Sequence, residues 1–315
     1  MKVTIAEPIG LTAEKLARFQ TILSEMGHTL TTYSNRPTSN EELLERVYAS
    51  DVVIVSNLPI PSEVIRKCTN LKLINVAFTG TDHIDKAACK EQGVTVCNAA
   101  GYSTNAVAEL TISSAISLLR KTVAMEQLLR TETDRKGFLG GELSGKTVGI
   151  VGLGAIGERV ATLALAFGCK VLAYNRSKKN IPKVTQTPLN QLLEESDIVS
   201  LHVPLTAETT GLINSEALKR MKPSALLINT ARGNVVDIPA LALALKAGTI
   251  AGAAIDVYEK EPPLEKTHPL MDAPNVILLP HIAFATQAAI NIRSEIIIEN
   301  TTSWFSEKPM NVVVD

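Results

Sequence analysis

Short apolar runs rich in Val, Ile and Leu alternate along the chain with longer stretches of amphipathic, helix-like spacing. Residues 3–6, 52–56, 73–76 and 94–97 read as strands, and the pattern restarts after Gly145 at 147–151, 170–174, 198–202, 225–229, 252–256 and 276–278. Continuous apolar runs mark strands buried on both faces, and the intervening helices supply the crossovers that parallel strands need. The expected fold class is therefore α/β, with two doubly wound parallel-sheet units. Between them, residues 103–130 carry apolar side chains at Val107, Leu110, Ala115, Leu118, Leu119, Met125 and Leu129, which predicts one long helix. Its apolar face is wider than one sheet requires, so it packs either on a second subunit or as an ordinary helix between the two units. The charged stretch 131–141, ending in Gly-Gly, reads as loop. Past residue 283 a helical run covers 286–305, with no sheet strand expected after it. Such a helix has the first unit to pack on, so the expected domains are 1–99 together with 286–315, and 100–285.

Composition narrows the class. A length of 315 residues suits two domains, and 45% hydrophobic residues are enough to build cores, which excludes disorder and fibrous repeats. With 31 basic and 32 acidic side chains, the net charge of −1 offers no general attraction to nucleic acid or an anionic membrane. No window approaches about 18 uninterrupted apolar residues, and residues 1–10 lack the apolar core of a secretory signal, so a cytoplasmic location is expected. Cys68, Cys89, Cys97 and Cys169 form no C-x-x-C pair, and no metal site is expected.

The strand 147–151 runs into Gly152-Leu153-Gly154-Ala155-Ile156-Gly157 and then into a helical pattern. A lone G-x-G-x-x-G is weak, but closing a strand and opening a helix is the arrangement that dinucleotide binding needs. Gly152 permits the tight turn, Gly154 lets the pyrophosphate approach the backbone, and Gly157 allows close helix packing; the helix start, including Ala155 and Ile156, faces the phosphates with free N–H groups. A carboxylate about 20 residues on would bind the adenosine ribose and repel a 2′-phosphate. None is present: the second strand ends in Tyr174-Asn175-Arg176-Ser177-Lys178-Lys179. Asn175 removes the repulsion, and Arg176, Ser177 and Lys178 offer donors to a phosphate dianion, so NADP(H) is expected over NAD(H). The alternative is a solvated basic turn beside a pocket that does not discriminate.

Three groups reach one sheet edge. Arg232 follows the strand 225–229 in Asn229-Thr230-Ala231-Arg232-Gly233, Glu261 lies in the segment opened by Asp256, and His281 follows the strand 276–278. Arg holds a carboxylate or polarises a carbonyl, His moves a proton near neutrality, and a carboxylate behind it steadies the imidazolium. Together they suit reduction of a 2-oxo acid.

These residues are where the chain resembles the D-isomer-specific 2-hydroxyacid dehydrogenase family. The resemblance spans nearly the whole chain, through 76–85, 98–109, the glycine fingerprint, 201–206, 228–233, Asp256-Val257-Tyr258-Glu259 and Pro280-His281. It implies a Rossmann cofactor domain inserted in a flavodoxin-like substrate domain, and dimers formed through the long helix. It further implies Arg232 as binder of the substrate carboxylate and carbonyl, His281 as general acid, and Glu261, favoured over a solvent-facing Glu259, as the partner of His281. The substrate loop falls on Phe78, Thr79 and Gly80, with Leu58 facing the reacting carbon. Implied cofactor contacts are Thr104, Val203, Pro204, Thr230, Ala231, Asp256 toward the nicotinamide amide, and Ala283. Many members carry Gly two residues after the catalytic His, where this chain has Ala283, which puts local geometry in question.

The activity implied is reduction of a small 2-oxo acid, of the glyoxylate or hydroxypyruvate type, to the D-2-hydroxy acid. A short phosphoglycerate dehydrogenase or a reductase of branched or aromatic oxo acids is the alternative within the family. Formate dehydrogenases place Gln where Glu261 stands, and phosphonate dehydrogenase fits no better. From another class, nicotinamide-sensing co-repressors share this fold and retain all three groups. His202, at a strand end, reads as structural, and His28, His83 and His268 receive no role.

Overall fold

A computed structural model describes residues 1–131, 134–135, 137–261 and 263–314. The chain begins with β1 (Lys2–Ile5), α1 (Ala13–Glu25), β2 (Thr29–Thr32), α2 (Asn40–Val47), β3 (Val52–Val55), α3 (Ser62–Lys67), β4 (Leu73–Val76), α4 (Lys86–Gln92) and β5 (Thr95–Asn98). It continues through α5 (Thr104–Arg120), α6 (Thr122–Thr131), β6 (Thr147–Val151), α7 (Ala155–Ala166), β7 (Lys170–Tyr174), β8 (Val184–Gln186), α8 (Leu189–Glu195), β9 (Ile198–Leu201) and α9 (Ser215–Arg220). β10 (Leu226–Asn229), α10 (Ile238–Lys246), β11 (Gly252–Ile255), β12 (Val276–Leu278), α11 (Gln287–Phe305) and β13 (Val312–Val314) complete it. These elements pack as two units, Met1–Ser103 with Thr286–Asp315, and Thr104–Ala285.

The first unit holds a six-stranded sheet in the order β13-β5-β4-β3-β1-β2. Its five parallel strands keep the 2-1-3-4-5 order of flavodoxin-like sheets. β3 and β4 are buried at every residue, as the unbroken runs Val52-Val53-Ile54-Val55 and Leu73-Ile74-Asn75-Val76 require. The one polar residue there, Asn75, is satisfied: its Nδ2 donates to the Ile297 carbonyl and to Thr301 Oγ1, each at 2.9 Å. α11 thus closes one face of this sheet, with Ile297, Ile298, Trp304 and Phe305 packed against Val3, Ile5, Phe19 and Leu73. Contrary to the expectation of no strand after this helix, β13 pairs antiparallel with β5.

The second unit holds a seven-stranded parallel sheet, β12-β11-β10-β9-β6-β7-β8. Counting from β6 this is the 3-2-1-4-5-6 order of a Rossmann sheet with one further strand. Order reverses between β6 and β9, so ligands belong beyond the carboxyl ends of those strands. Here too the single long helix expected over 103–130 is corrected. α5 ends at Arg120, Lys121 takes φ 49°, and α6 restarts at Thr122. The left-handed residue turns the axis, and the two halves differ in burial: α5 buries eight residues and α6 none. The loop expected over 131–141 includes residues 132, 133 and 136, which lie outside the described residues.

Candidate active site

The glycine turn fits a dinucleotide. Gly152 has φ 102°, and a Cβ there would meet the His202 carbonyl oxygen at 2.7 Å. A Cβ on Gly157 would lie 2.0 Å from the Gly152 carbonyl oxygen, so only glycine lets α7 sit this close to the turn. At Gly154 a Cβ would meet nothing within 4 Å, which leaves open space on the ligand side. Gly154 is the N-cap of α7 and supplies no side-chain cap, so the first N–H groups, at Ala155, Ile156 and Gly157, remain for an anion.

At the end of β7 the sequence-expected Asn175 is turned inward. Its Oδ1 accepts the Leu153 N–H at 3.0 Å, and its Nδ2 donates to the Ser177 carbonyl at 2.9 Å and to Ser177 Oγ at 3.1 Å. Asn175 therefore ties the glycine turn to the basic turn, a link that the residue types alone did not reveal. Arg176, Ser177 and Lys178 are exposed, whereas Lys179 is engaged by Glu158. Opposite them, the Glu208 carboxyl is held below its usual range by the Thr206 hydroxyl, its own backbone N–H and the charge of Arg176. Val203 and Pro204 follow β9 and are at least partly exposed, and Thr230 Oγ1 lies 3.3 Å from Thr111 Oγ1 of α5. Thr104 opens α5. His202 bonds Ser200 Oγ through Nε2 at 2.8 Å, and burial pushes its imidazole down to about 4, as suits a neutral structural histidine.

Register brings the reacting groups to one edge. Asn229, the last residue of β10, pairs with Ile255 of β11, which pairs in turn with Leu278 of β12. The loops carrying Arg232, Glu261 and His281 therefore leave the sheet side by side. Asn229 is fully buried; its Nδ2 donates to the Arg232 carbonyl at 2.9 Å and its Oδ1 accepts the Ala231 N–H at 3.0 Å. Gly233 packs on the next loop, where a Cβ would lie 2.0 Å from the Tyr258 carbonyl carbon. Tyr258 in turn donates to the carbonyls of Ile255 at 3.0 Å and Leu279 at 2.9 Å. Asn229 and Gly233 set the Arg232 loop, and their signal was only their place beside Arg232 in the quoted run.

His281 is steadied twice. Its Nδ1 lies 2.9 Å and 3.0 Å from the two oxygens of Glu261. Its backbone adopts φ 56°, a left-handed conformation that non-glycine residues rarely take and that concentrates at functional positions. Asp256 holds that backbone: 1% exposed, it accepts the Ile282 N–H and the Ala283 N–H at 2.8 Å each. Burial raises the Asp256 carboxyl, against those two donors and the nearby His281. Ala283 is itself outside the left-handed region, so no glycine is required there. Glu259, expected to face solvent, is exposed and lies 3.4 Å from His268 Nε2.

In the first unit Leu58 is 6% exposed, and its N–H and that of Ser56 both reach Glu7 Oε1 at 2.8 Å. The Phe78 carbonyl accepts the Ala99 N–H at 2.9 Å, and the Thr79 carbonyl accepts Asn98 Nδ2 at 2.7 Å. Thr79 is exposed and Gly80 partly so. Glu7 and Asn98, which position these two loops, were not singled out from the sequence. Among the described residues no group of His, Cys, Asp and Glu could hold a metal ion, and no helix is long and apolar enough to cross a membrane.

Residues 112–283 match the family model for the NAD binding domain of D-isomer specific 2-hydroxyacid dehydrogenases. The chain is 44% identical over 275 residues to a glyoxylate reductase of Thermofilum pendens, covering 84% of this chain and 81% of that one. It is 40% identical over 282 residues to a glycerate dehydrogenase of Methylorubrum extorquens, covering 87% and 88%. Among solved structures it is similar to an acyclic imino acid reductase in complex with NADPH and D-Arg, with a TM-score of 0.92, 32% identity and full coverage of both chains. The chain belongs to the D-isomer specific 2-hydroxyacid dehydrogenase family and is an NAD(P)-dependent oxidoreductase acting on a CH–OH group.

Proposed function

We propose that this protein reduces a small 2-oxo acid of the glyoxylate or hydroxypyruvate type to the D-2-hydroxy acid, with NADPH as the favoured reductant. The observation that carries the reading is His281 held at Nδ1 by both oxygens of Glu261, beside the Arg232 loop. Relatives named glyoxylate reductase and glycerate dehydrogenase support the substrate class.

When bound, a reduced nicotinamide would supply the hydride for the carbonyl carbon. With Nδ1–H given to Glu261, protonated His281 presents Nε2–H to the carbonyl oxygen and delivers its proton as negative charge develops there. The guanidinium of Arg232 holds the substrate carboxylate and carbonyl with donors in a fixed fork. By the family resemblance, the N–H groups of loop 78–80 are assigned to the substrate carboxylate and Leu58 to the reacting carbon. The N–H groups of Ala155, Ile156 and Gly157 would hold the cofactor's pyrophosphate, and Thr104, Val203, Pro204, Thr230, Ala231 and Ala283 are the further residues proposed to hold the cofactor.

Ser177 supports the NADPH preference. Its Oγ accepts from Asn175 Nδ2, which leaves the hydroxyl proton for a 2′-phosphate between Arg176 and Lys178. A homodimer in the cytoplasm completes the proposal. α6 exposes Val123 and Leu129, and the following segment exposes Leu139, around a hollow of about 870 Å³ lined also by Met125, Leu128 and Phe138. Sedimentation as a monomer at micromolar concentration would remove the dimer.

The test crosses glyoxylate, hydroxypyruvate, pyruvate, 2-oxoisocaproate and phenylpyruvate with NADPH and NADH, reading initial rates. Fast NADPH-linked turnover of glyoxylate and hydroxypyruvate is expected. Equal efficiencies with both cofactors would defeat the preference. Tight cofactor binding with negligible rates on every acid would favour a nicotinamide-sensing binding protein.

A further inference from the structure

α11 carries an arginine into the interior of the first unit. Arg293 is 4% exposed, and its Nη2 donates to the Ile9 carbonyl at 2.6 Å. The guanidinium carbon lies 5.2 Å from the ring centre of Phe78 and 5.7 Å from that of Tyr102. Those two rings meet edge to face at 6.2 Å. Gly10, at φ 74°, makes room: a Cβ there would lie 2.9 Å from Nη2.

Among the described residues no carboxylate pairs with this cation; its surroundings are a carbonyl, two aromatic faces and the Tyr102 hydroxyl. Burial without a counter-charge is costly, and a Met or Leu would fill the same space without that cost. With no carboxylate of its own, the cation is available to an anion from outside the fold. The loop that Arg293 underlies is built for one. The carbonyls of Phe78 and Thr79 are turned to Ala99 and Asn98, while Thr79 is exposed and Gly80 partly so, which leaves this stretch of backbone open to a ligand.

We propose that Arg293 is a specificity-determining residue that sets a positive potential behind loop 78–80 and selects substrates carrying a carboxylate. It acts through Phe78 and Tyr102, without touching the reacting atoms. The inference rests on the reading of loop 78–80 as the carboxylate subsite.

The test compares wild type with Arg293→Met, Arg293→Gln and Arg293→Lys. Glyoxylate serves as the anionic probe, methyl glyoxylate as the same carbonyl without charge, and oxalate as a dead-end inhibitor. In the two neutral variants, the KM for glyoxylate and the inhibition constant of oxalate rise about tenfold, as expected for a buried cation several ångströms from the anion. The ester's kcat/KM stays within about threefold, and Lys keeps the acid-over-ester preference within about threefold of wild type. Acid and ester falling in step would show a merely structural role and overturn the proposal. If neither neutral variant folds, the Lys variant decides alone, and loss of its acid preference overturns the proposal. A wild type that neither reduces glyoxylate nor binds oxalate would sink the reading of the loop, and this proposal with it. A wild type that does both, with variants indistinguishable from it, would sink only the part given to Arg293.

Discussion

Glu261 meets His281 with both carboxylate oxygens, 2.9 Å and 3.0 Å from Nδ1, so one ring nitrogen is engaged and Nε2 is the nitrogen that the proposed mechanism gives to substrate. Glu261→Gln keeps the shape but offers a single acceptor and no charge. Turnover should fall about 10–100-fold with KM little changed, while His281→Ala should lose at least about 100-fold. Steady-state rates on the best oxo acid decide it; most activity retained in His281→Ala refutes the assignment.

Arg232 is predicted to be irreplaceable by a second cation. Arg232→Lys keeps the charge but not two donors in one plane, and kcat/KM should drop about 10–100-fold. A variant within threefold of wild type would show that the carboxylate is held elsewhere.

Asp256 acts on the backbone that carries His281. Asp256→Ala would orphan two N–H groups, at a cost of about 2–4 kcal/mol in folding stability. Turnover should fall with it, and Asp256→Asn, which keeps one acceptor, should lie between. Equal stability of all three proteins in urea would contradict the role.

The contact of Gly233 with Tyr258 predicts that Gly233→Ala is severe, because a Cβ would sit 2.1 Å from the Tyr258 carbonyl oxygen and 2.5 Å from the Glu259 nitrogen. Backbone must move, at about 2–4 kcal/mol, and the Arg232 loop moves with it. Calorimetry and the KM for the oxo acid both report this; an unchanged Tm with unchanged KM would not fit.

His202 gives a pH signature. Its folded value of about 4 lies below the unfolded 6.5, so its contribution to stability is fully present above pH 6.5 and is lost as pH falls toward 4. The loss amounts to at most about 3 kcal/mol. Denaturant titrations of wild type and His202→Gln across that window should converge or cross as pH falls. A constant difference would contradict the neutral state.

Much of this was legible in the chain because the chemistry sits at the ends of strands that read as short apolar runs. The runs at 73–76, 147–151, 170–174 and 276–278 are strands at those positions. Edge strands β2 and β8 escaped. β2 is Thr-Leu-Thr-Thr and mostly exposed, and β8 is three residues without a buried one, so neither shows the apolar run of an interior strand. The break at Lys121 has no Gly or Pro to announce it. Asn229, Asn98 and Glu7 escaped for another reason: they act by hydrogen bonds to loop backbones, which residue spacing does not encode.

The most direct measurement follows hydroxypyruvate with NADPH and resolves the glycerate formed on a chiral column. D-glycerate appearing at the rate at which NADPH is consumed, and abolished in His281→Ala, is the predicted result. L-glycerate, or no glycerate from a protein that still binds NADPH, would contradict the account.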